Sequence, residues 1–403
     1  MRNVGLDLGV RKIAFCEVVD GKVVARCEVT SIDKLVDKIG PGTPPARVVF
    51  EACRTAWYIH DVVTGWGHDA VLVDTTRGAQ IGIRSHGKKN DRIDAEHLAR
   101  AAEGGRIPVA HVLSHARQEL RHEVMLRQYL VETRTKTINM LRGQLLAEGL
   151  PLTQGDADDV LSKVVEAELP ERLRRRLAPA VAVLGAVEQQ LAVVDAALED
   201  RCERDADIQR LMTIPRVGVV LAAAFVSVID DASRFRSAAQ VASYLGLVPK
   251  ENSSGDRAQL GHITRAGNAH VRTLLVQAAH GLLTRRQSAA DAEDALRNWG
   301  LDLLARRKRQ VAVVAVARRL ARIMWAIWRS GTTYDPVRPA AASARGLALD
   351  QTTRDELAPK LDSAKKKLRK RKGETASRAR RTQELVSPPS APTPSKRSPR
   401  RAA

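Results

Sequence analysis

Aromatic residues are scarce, with Phe, Tyr and Trp together making up 3% of the 403 residues. So few rings leave little for single-stranded bases to stack on. A nucleic acid bound here is therefore expected to be held by its phosphates and its shape. Cysteine is scarce too: Cys16, Cys27, Cys53 and Cys202 are the four, and none falls in a CxxC spacing. That argues against a zinc ribbon or a disulfide-stapled scaffold. The longest apolar run, Val217 to Ile229, has 13 residues, short of the roughly 20 that cross a bilayer. Asp7 interrupts the first apolar stretch, so no signal peptide is expected. These absences predict a protein of the cytoplasm, associated with the nucleoid and without a membrane partner.

Acidic residues are outnumbered. Sixty-six Lys and Arg face 46 Asp and Glu, a net charge of +20. The excess is uneven, because Lys360 to Ala403 hold 15 Lys/Arg and 3 Asp/Glu, a net +12. The remaining residues carry the other +8, which makes the folded part moderately basic and the tail strongly so. Nucleic acid is the partner such a charge favours, ahead of an anionic membrane surface. The tail also has small-residue and Ser/Pro-rich stretches, Ala340–Ala348 and Ser387–Pro399, the composition of a disordered segment.

Against this basic background four acids stand out. Asp7 falls within Val4-Gly5-Leu6-Asp7-Leu8-Gly9, and Glu51 ends Val48-Val49-Phe50-Glu51. Strands are depleted in Asp and Glu, so acids at strand ends call for a reason. Asp91 and Asp94 lie three residues apart at the start of a helical pattern and so share a helix face. Four carboxylates brought together repel one another, and a divalent cation such as Mg²⁺ relieves that repulsion. Two such ions are possible, and in phosphoryl transfer they activate a nucleophile and stabilise a leaving oxygen. The plainer reading is that Asp91 caps the helix and Asp94 favours its positive end. Glu96 points away from Asp94 around the axis, and Asp74, after the fifth strand, is a spare acid.

The strand pattern sets these acids in a layout. Strands are expected at 3–8, 13–19, 23–29, 48–51 and 71–74, with Asp20-Gly21 making a hairpin between the second and third. Helices follow at 56–64 and 91–103. An opening hairpin run followed by strands and helices matches an α/β RNase H-like (RuvC-like) domain, assigned to residues 1–112. Residues 113–205 are helical, with apolar positions at three- and four-residue steps. They form either a coiled-coil arm or an ordinary bundle. Residues 206–336 form a mostly α C-terminal domain, and 337–403 a disordered basic tail.

A second group lies at 243–275. Ser253, Ser254 and Gly255 sit in a polar loop flanked by Arg257, His262, Arg265 and Arg272. Serines beside Gly usually form turns. Cations around a serine also suit a phosphate that the serine oxygen attacks. Lys88, Lys89 and Arg92 beside the acids, with Arg257, Arg265 and Arg272 around the loop, are the candidate nucleic-acid contacts. Ile214-Pro215-Arg216-Val217-Gly218 reads as a hairpin between two helices.

Asp7, Glu51 and Lys89-Asn90-Asp91-Arg92-Ile93-Asp94-Ala95 resemble the DEDD transposases, a family of insertion-sequence recombinases. So do Ile214–Gly218, Tyr244–Pro249, Asn252–Gly255, Ile263–Asn268, Val316–Trp328 and Gly331–Pro336, so the resemblance spans residues 1 to 336. It implies a Mg²⁺-dependent site built from Asp7, Glu51, Asp91 and Asp94, and a serine that becomes joined to DNA. Ser253 matches the nucleophile, with Ser254 as its neighbouring alternative. It further implies donor and target DNA, a structured guide RNA, and a homo-oligomer, dimer or tetramer, whose protomers share the active site. Arg216 departs from the Gly usual in the hairpin, and the tail lies outside the pattern. Other readings are a Holliday-junction resolvase or RNase H-like nuclease that uses water, and a non-catalytic basic nucleic-acid-binding protein. Gly5-Leu6-Asp7-Leu8-Gly9 also resembles the first phosphate loop of actin-like ATPases, but no further loops of that kind follow.

Overall fold

A computed structural model describes residues 1–74, 91–105, 107–152, 157–251, 260–284 and 294–337. The chain divides into two compact units, Met1–His115 and Ala116–Ala403. Ser253, Ser254, Arg257, Lys88, Lys89 and the basic tail lie outside the described residues.

The first unit is built on a five-stranded sheet. Its strands are β1 (Arg2–Leu8), β2 (Ile13–Val19), β3 (Lys22–Val29), β4 (Ala46–Glu51) and β5 (Asp69–Val73), in the order β3-β2-β1-β4-β5. β1, β2 and β3 pair antiparallel, while β4 and β5 run parallel to β1. The hairpin joining β2 to β3 turns at Asp20 and Gly21, at φ 49° and 75°. Positive φ at both positions matches the right-handed twist of the strands, which is why Asp-Gly serves there. β3 forms an edge and carries Lys22, Arg26 and Glu28, charges that discourage pairing with another sheet.

Alternation along the strands gives the sheet two buried faces. On one face Val4, Leu6, Phe15, Val48 and Phe50 pack with α1 (Val36–Ile39) and α2 (Ala56–Gly65) through Ile39, Ala56, Ile59 and Val63. On the other, α3 (Asp91–Glu103) sets Ala95 and Ala99 against Ala14, Cys16 and Val18, and Leu98 and Ala102 against Val49 and Val73. α3 lies almost on the backbone of β1. A Cβ placed on Gly5 would stand 1.9 Å from the Ala95 carbonyl oxygen and 2.7 Å from the Ala99 nitrogen. No residue other than glycine fits under that helix.

The second unit is helical. Its elements are α4 (His115–Ala147), α5 (Val160–Glu166), α6 (Glu171–Glu203), α7 (Ala206–Met212), α8 (Val219–Ile229), α9 (Ala238–Tyr244), α10 (Ala269–Thr284), α11 (Ala295–Arg306) and α12 (Arg309–Ser330). α4 and α6 each have 33 residues, a length of about 50 Å. They run antiparallel. Glu123 pairs with Arg201 at 2.6 Å, Arg127 with Asp195, and Glu148 with Arg172 at 2.6 Å and Arg176 at 2.9 Å. Leu173, Leu177, Leu184, Val187, Leu191 and Leu198 form a buried stripe on α6 at steps of three, four and seven. An 18-residue stretch of α6 is apolar enough to cross a membrane by length and composition alone. Leu173, Leu177 and Leu184 of its stripe pack with Ile138, Leu141 and Leu145 of α4 and with α5.

The rest of the unit surrounds α8, the apolar run of the sequence, whose residues from Leu221 to Ile229 are all buried. α12 packs against α7, α9, α10 and α11. A short antiparallel pair, β6 (Pro249–Glu251) and β7 (Leu260–Ile263), emerges between α9 and α10.

Candidate active site

Register brings the first two acids together. Leu6 pairs with Phe50 across parallel β1 and β4, so Asp7 and Glu51 take the next rung. Both are half-buried at the carboxyl ends of adjacent strands and belong to the face that α3 covers. The direction of α3 follows from its ion pairs. Arg92 donates to Glu28 at 2.8 Å, and Glu28 lies opposite Ala14, which lies opposite Asp7. At the other end Arg100 donates to the Gly21 carbonyl at 3.1 Å, and Glu103 accepts from the Gly21 N–H at 2.8 Å. α3 therefore runs opposite to β1, and its first turn, with Asp91 and Asp94, lies at the Asp7 end of the sheet. Asp94 is half-buried and precedes by one turn Leu98, which packs on Val49 and Val73. It thus lies on the β4 side of the helix, the side of Glu51. Asp91 is exposed.

Glu96 is otherwise engaged. It pairs with Arg26 and accepts from Arg100 at 2.8 Å. The Arg100 hydrogen bond holds its carboxyl below the usual range, against a smaller upward push from burial. Asp74 leaves the sheet, its N–H donating to the Pro108 carbonyl at 2.9 Å. Among the described residues no three His, Cys, Asp or Glu side chains converge into a ready-made metal cage. The four acids are placed at one end of the sheet but not drawn tightly together. As a donor set they are all carboxylate oxygen, which suits a hard cation such as Mg²⁺.

The residues framing the serine loop belong to the second unit. β6 and β7 supply both ends of the loop, an element that the sequence pattern reads as polar loop throughout. Below it two turns meet backbone to backbone. Gly246 at φ 68° would set a Cβ 2.1 Å from the Ala266 carbonyl oxygen, and Gly267 at φ 77° would set one 2.0 Å from that of Tyr244. Arg272, on α10, donates one nitrogen to the carbonyls of Leu245 and Ala266, both at 3.1 Å. Burial, then the neighbouring Arg265, pull its pKa below the ordinary guanidinium value. Arg265 itself is exposed and left-handed at φ 57°. Asn268 accepts from the Val271 N–H at 2.9 Å and starts α10. Arg216 has φ 68°, a left-handed backbone that favours glycine.

Two family profiles match the chain. One, for DEDD transposases of the IS110 type, covers residues 4–148, and one for the IS116/IS110/IS902 transposases covers 208–294. The first holds the sheet and α3, the second the two turns and the β6–β7 pair. Together they define a transposase of the DEDD class. A probable family 20 transposase of Pseudomonas aeruginosa is 32% identical over 301 residues, 73% of this chain and 87% of that protein. The transposase for insertion sequence element IS1328 of Yersinia enterocolitica is 27% identical over 82% of this chain and 98% of its own length. That for IS1111A of Coxiella burnetii is 29% identical over 71% of this chain and 79% of its own. The chain belongs to the IS110/IS116 family of insertion-sequence transposases, and its work is DNA transposition.

Proposed function

We propose that the chain cuts and rejoins DNA strands through a serine, with the acids of an RNase H-like sheet completing the active site. The order β3-β2-β1-β4-β5 supports that fold, and the three- and four-residue steps of α6 support a coiled-coil arm. The observation that carries the reading is the shared rung of Asp7 and Glu51 with the first turn of α3 at the same end. Asp7, Glu51, Asp91 and Asp94 would hold Mg²⁺, which supplies charge neutralisation at the phosphate. Ser253 forms its Oγ–phosphorus bond as a deoxyribose oxygen leaves phosphorus, and its proton passes to solvent or to a carboxylate. A second exchange returns the phosphate to a DNA hydroxyl and frees the serine. Lys88, Lys89, Arg92, Arg257 and Arg265 would hold phosphates of donor and target DNA. Arg272 would also face the nucleic acid, through the nitrogens its two carbonyl bonds leave over. The protein would work in the cytoplasm as a dimer or tetramer, guided by a structured RNA.

Ser253→Ala is expected to abolish the covalent protein–DNA adduct on a denaturing gel while DNA binding persists. An adduct of wild-type yield from that variant would shift the nucleophile to Ser254 or to another group. Strand cleavage with no adduct from the wild-type protein would favour the water-using nuclease. Asp94→Ala is expected to lower the cleavage rate by at least about a hundredfold, and unchanged turnover would make that acid structural.

A further inference from the structure

In the second unit several half-buried arginines are matched with carboxylates, while Arg272 meets only carbonyls among the described residues. Arg117 pairs with Asp205, Arg127 with Asp195, and Arg201 with Glu123. α12 breaks the pattern. From Arg306 to Ser330 the sequence holds eight Lys or Arg and no Asp or Glu. Arg318, Arg319 and Arg322 occupy steps of one, three and four on α12, so they form one patch. All three are half-buried, and no ion pair joins any of them to an acid among the described residues. The Nε atoms of Arg318 and Arg322 are buried without a hydrogen-bond partner. The guanidinium of Arg319 lies over the Trp299 ring of α11, 4.5 Å from its centroid.

This is an expensive arrangement. Burial pulls the pKa of Arg318 and of Arg319 down, and the charge of Arg322 pulls both further. An uncompensated cation in such a place costs stability, and so does an unmet donor. Arg117 and Arg127 of the same unit have an acid in place, and these three have none among the described residues. A bound anion would supply the counter-charge that the described residues lack. Three planar forks within one helical turn suit the oxygens of a phosphodiester backbone. The Trp299 ring attracts the Arg319 guanidinium and helps to hold it in place.

We infer that Arg318, Arg319 and Arg322 form a binding site for the phosphate backbone of duplex DNA on α12. The site lies beyond the residues matched by either family profile. It does not depend on the serine reading, because it is read by binding alone.

The test uses the full chain, duplex DNA and a structured RNA of similar length, titrated across a salt series. In Arg318→Gln/Arg322→Gln the plot of log affinity for DNA against log salt should flatten by about 1 to 2, since each phosphate contact contributes about 0.9. The thermal midpoint of the free variant should hold or rise, because two uncompensated charges are gone. Arg318→Lys/Arg322→Lys, which keeps the charge, should retain the wild-type slope. An unchanged DNA slope in the Gln pair would overturn the proposal. Flattening on RNA alone would assign the patch to RNA and overturn it as stated. A fall in thermal midpoint, or failure to fold, would show the arginines to be structural and overturn it equally.

Discussion

Gly5 is the residue on which the first unit closes. Its missing side chain lets the carbonyl of Ala95 and the nitrogen of Ala99 settle onto β1. Gly5→Ala would place a methyl 1.9 Å from that oxygen, and backbone cannot yield as a flexible side chain can. The substitution is expected to destabilise the unit by about 3 kcal/mol or more, read as a lowered thermal midpoint. Gly246 and Gly267 hold a similar place below β6 and β7, with Arg272 fastening the two turns. Arg272→Met removes both carbonyl bonds and is expected to cost about 2 kcal/mol, with Arg272→Lys recovering part of it in chemical denaturation.

Among the elements, α7 shows how a helix start is secured. Asp205 accepts from the N–H groups of Asp207 at 3.0 Å and Ile208 at 3.2 Å, and it also pairs with Arg117 of α4. Burial pushes its carboxyl up, but the Arg117 bond and charge together with the two N–H bonds outweigh this, and its pKa ends below the usual value. A lowered carboxyl pKa contributes stability that is present above the unfolded value and lost as pH falls through the folded one. The stability of the helical unit should thus decline below about pH 4. Asp205→Ala should remove part of that acid sensitivity and cost about 2 kcal/mol at neutral pH, as measured by urea unfolding at several pH values. Strand alternation and helical spacing made most of these elements legible in the sequence, including the Asp20-Gly21 hairpin and the placement of Asp7 and Glu51 at strand ends. Other features were hidden for physical reasons. β6 and β7 are too short and polar to show a period-two pattern. The direction of α3 depends on Arg92, Arg100 and Glu103 meeting β3 and the hairpin, contacts between residues tens of positions apart. That the α12 arginines meet no acid among the described residues depends on which elements pack around the helix, which no sequence pattern carries.

At the scale of the whole molecule, charge is divided between a basic folded part and a more basic C-terminal segment. Residues 360–403 carry +12 of the net +20. Removing them is expected to weaken binding to any DNA sequence alike and to flatten its salt dependence, while the adduct at a cognate site still forms. Loss of the adduct on truncation would give the segment a part in the reaction itself. The sheet has a further consequence. Because α3 rests on β1 through main-chain atoms at Gly5, the gap between the strand acids and the helix acids is gauged by the polypeptide backbone. Side chains elsewhere along the helix can therefore drift over generations, or be exchanged by design, without altering the spacing of the site. If these acids form the site proposed above, its geometry would persist through considerable sequence change, provided that one glycine is kept.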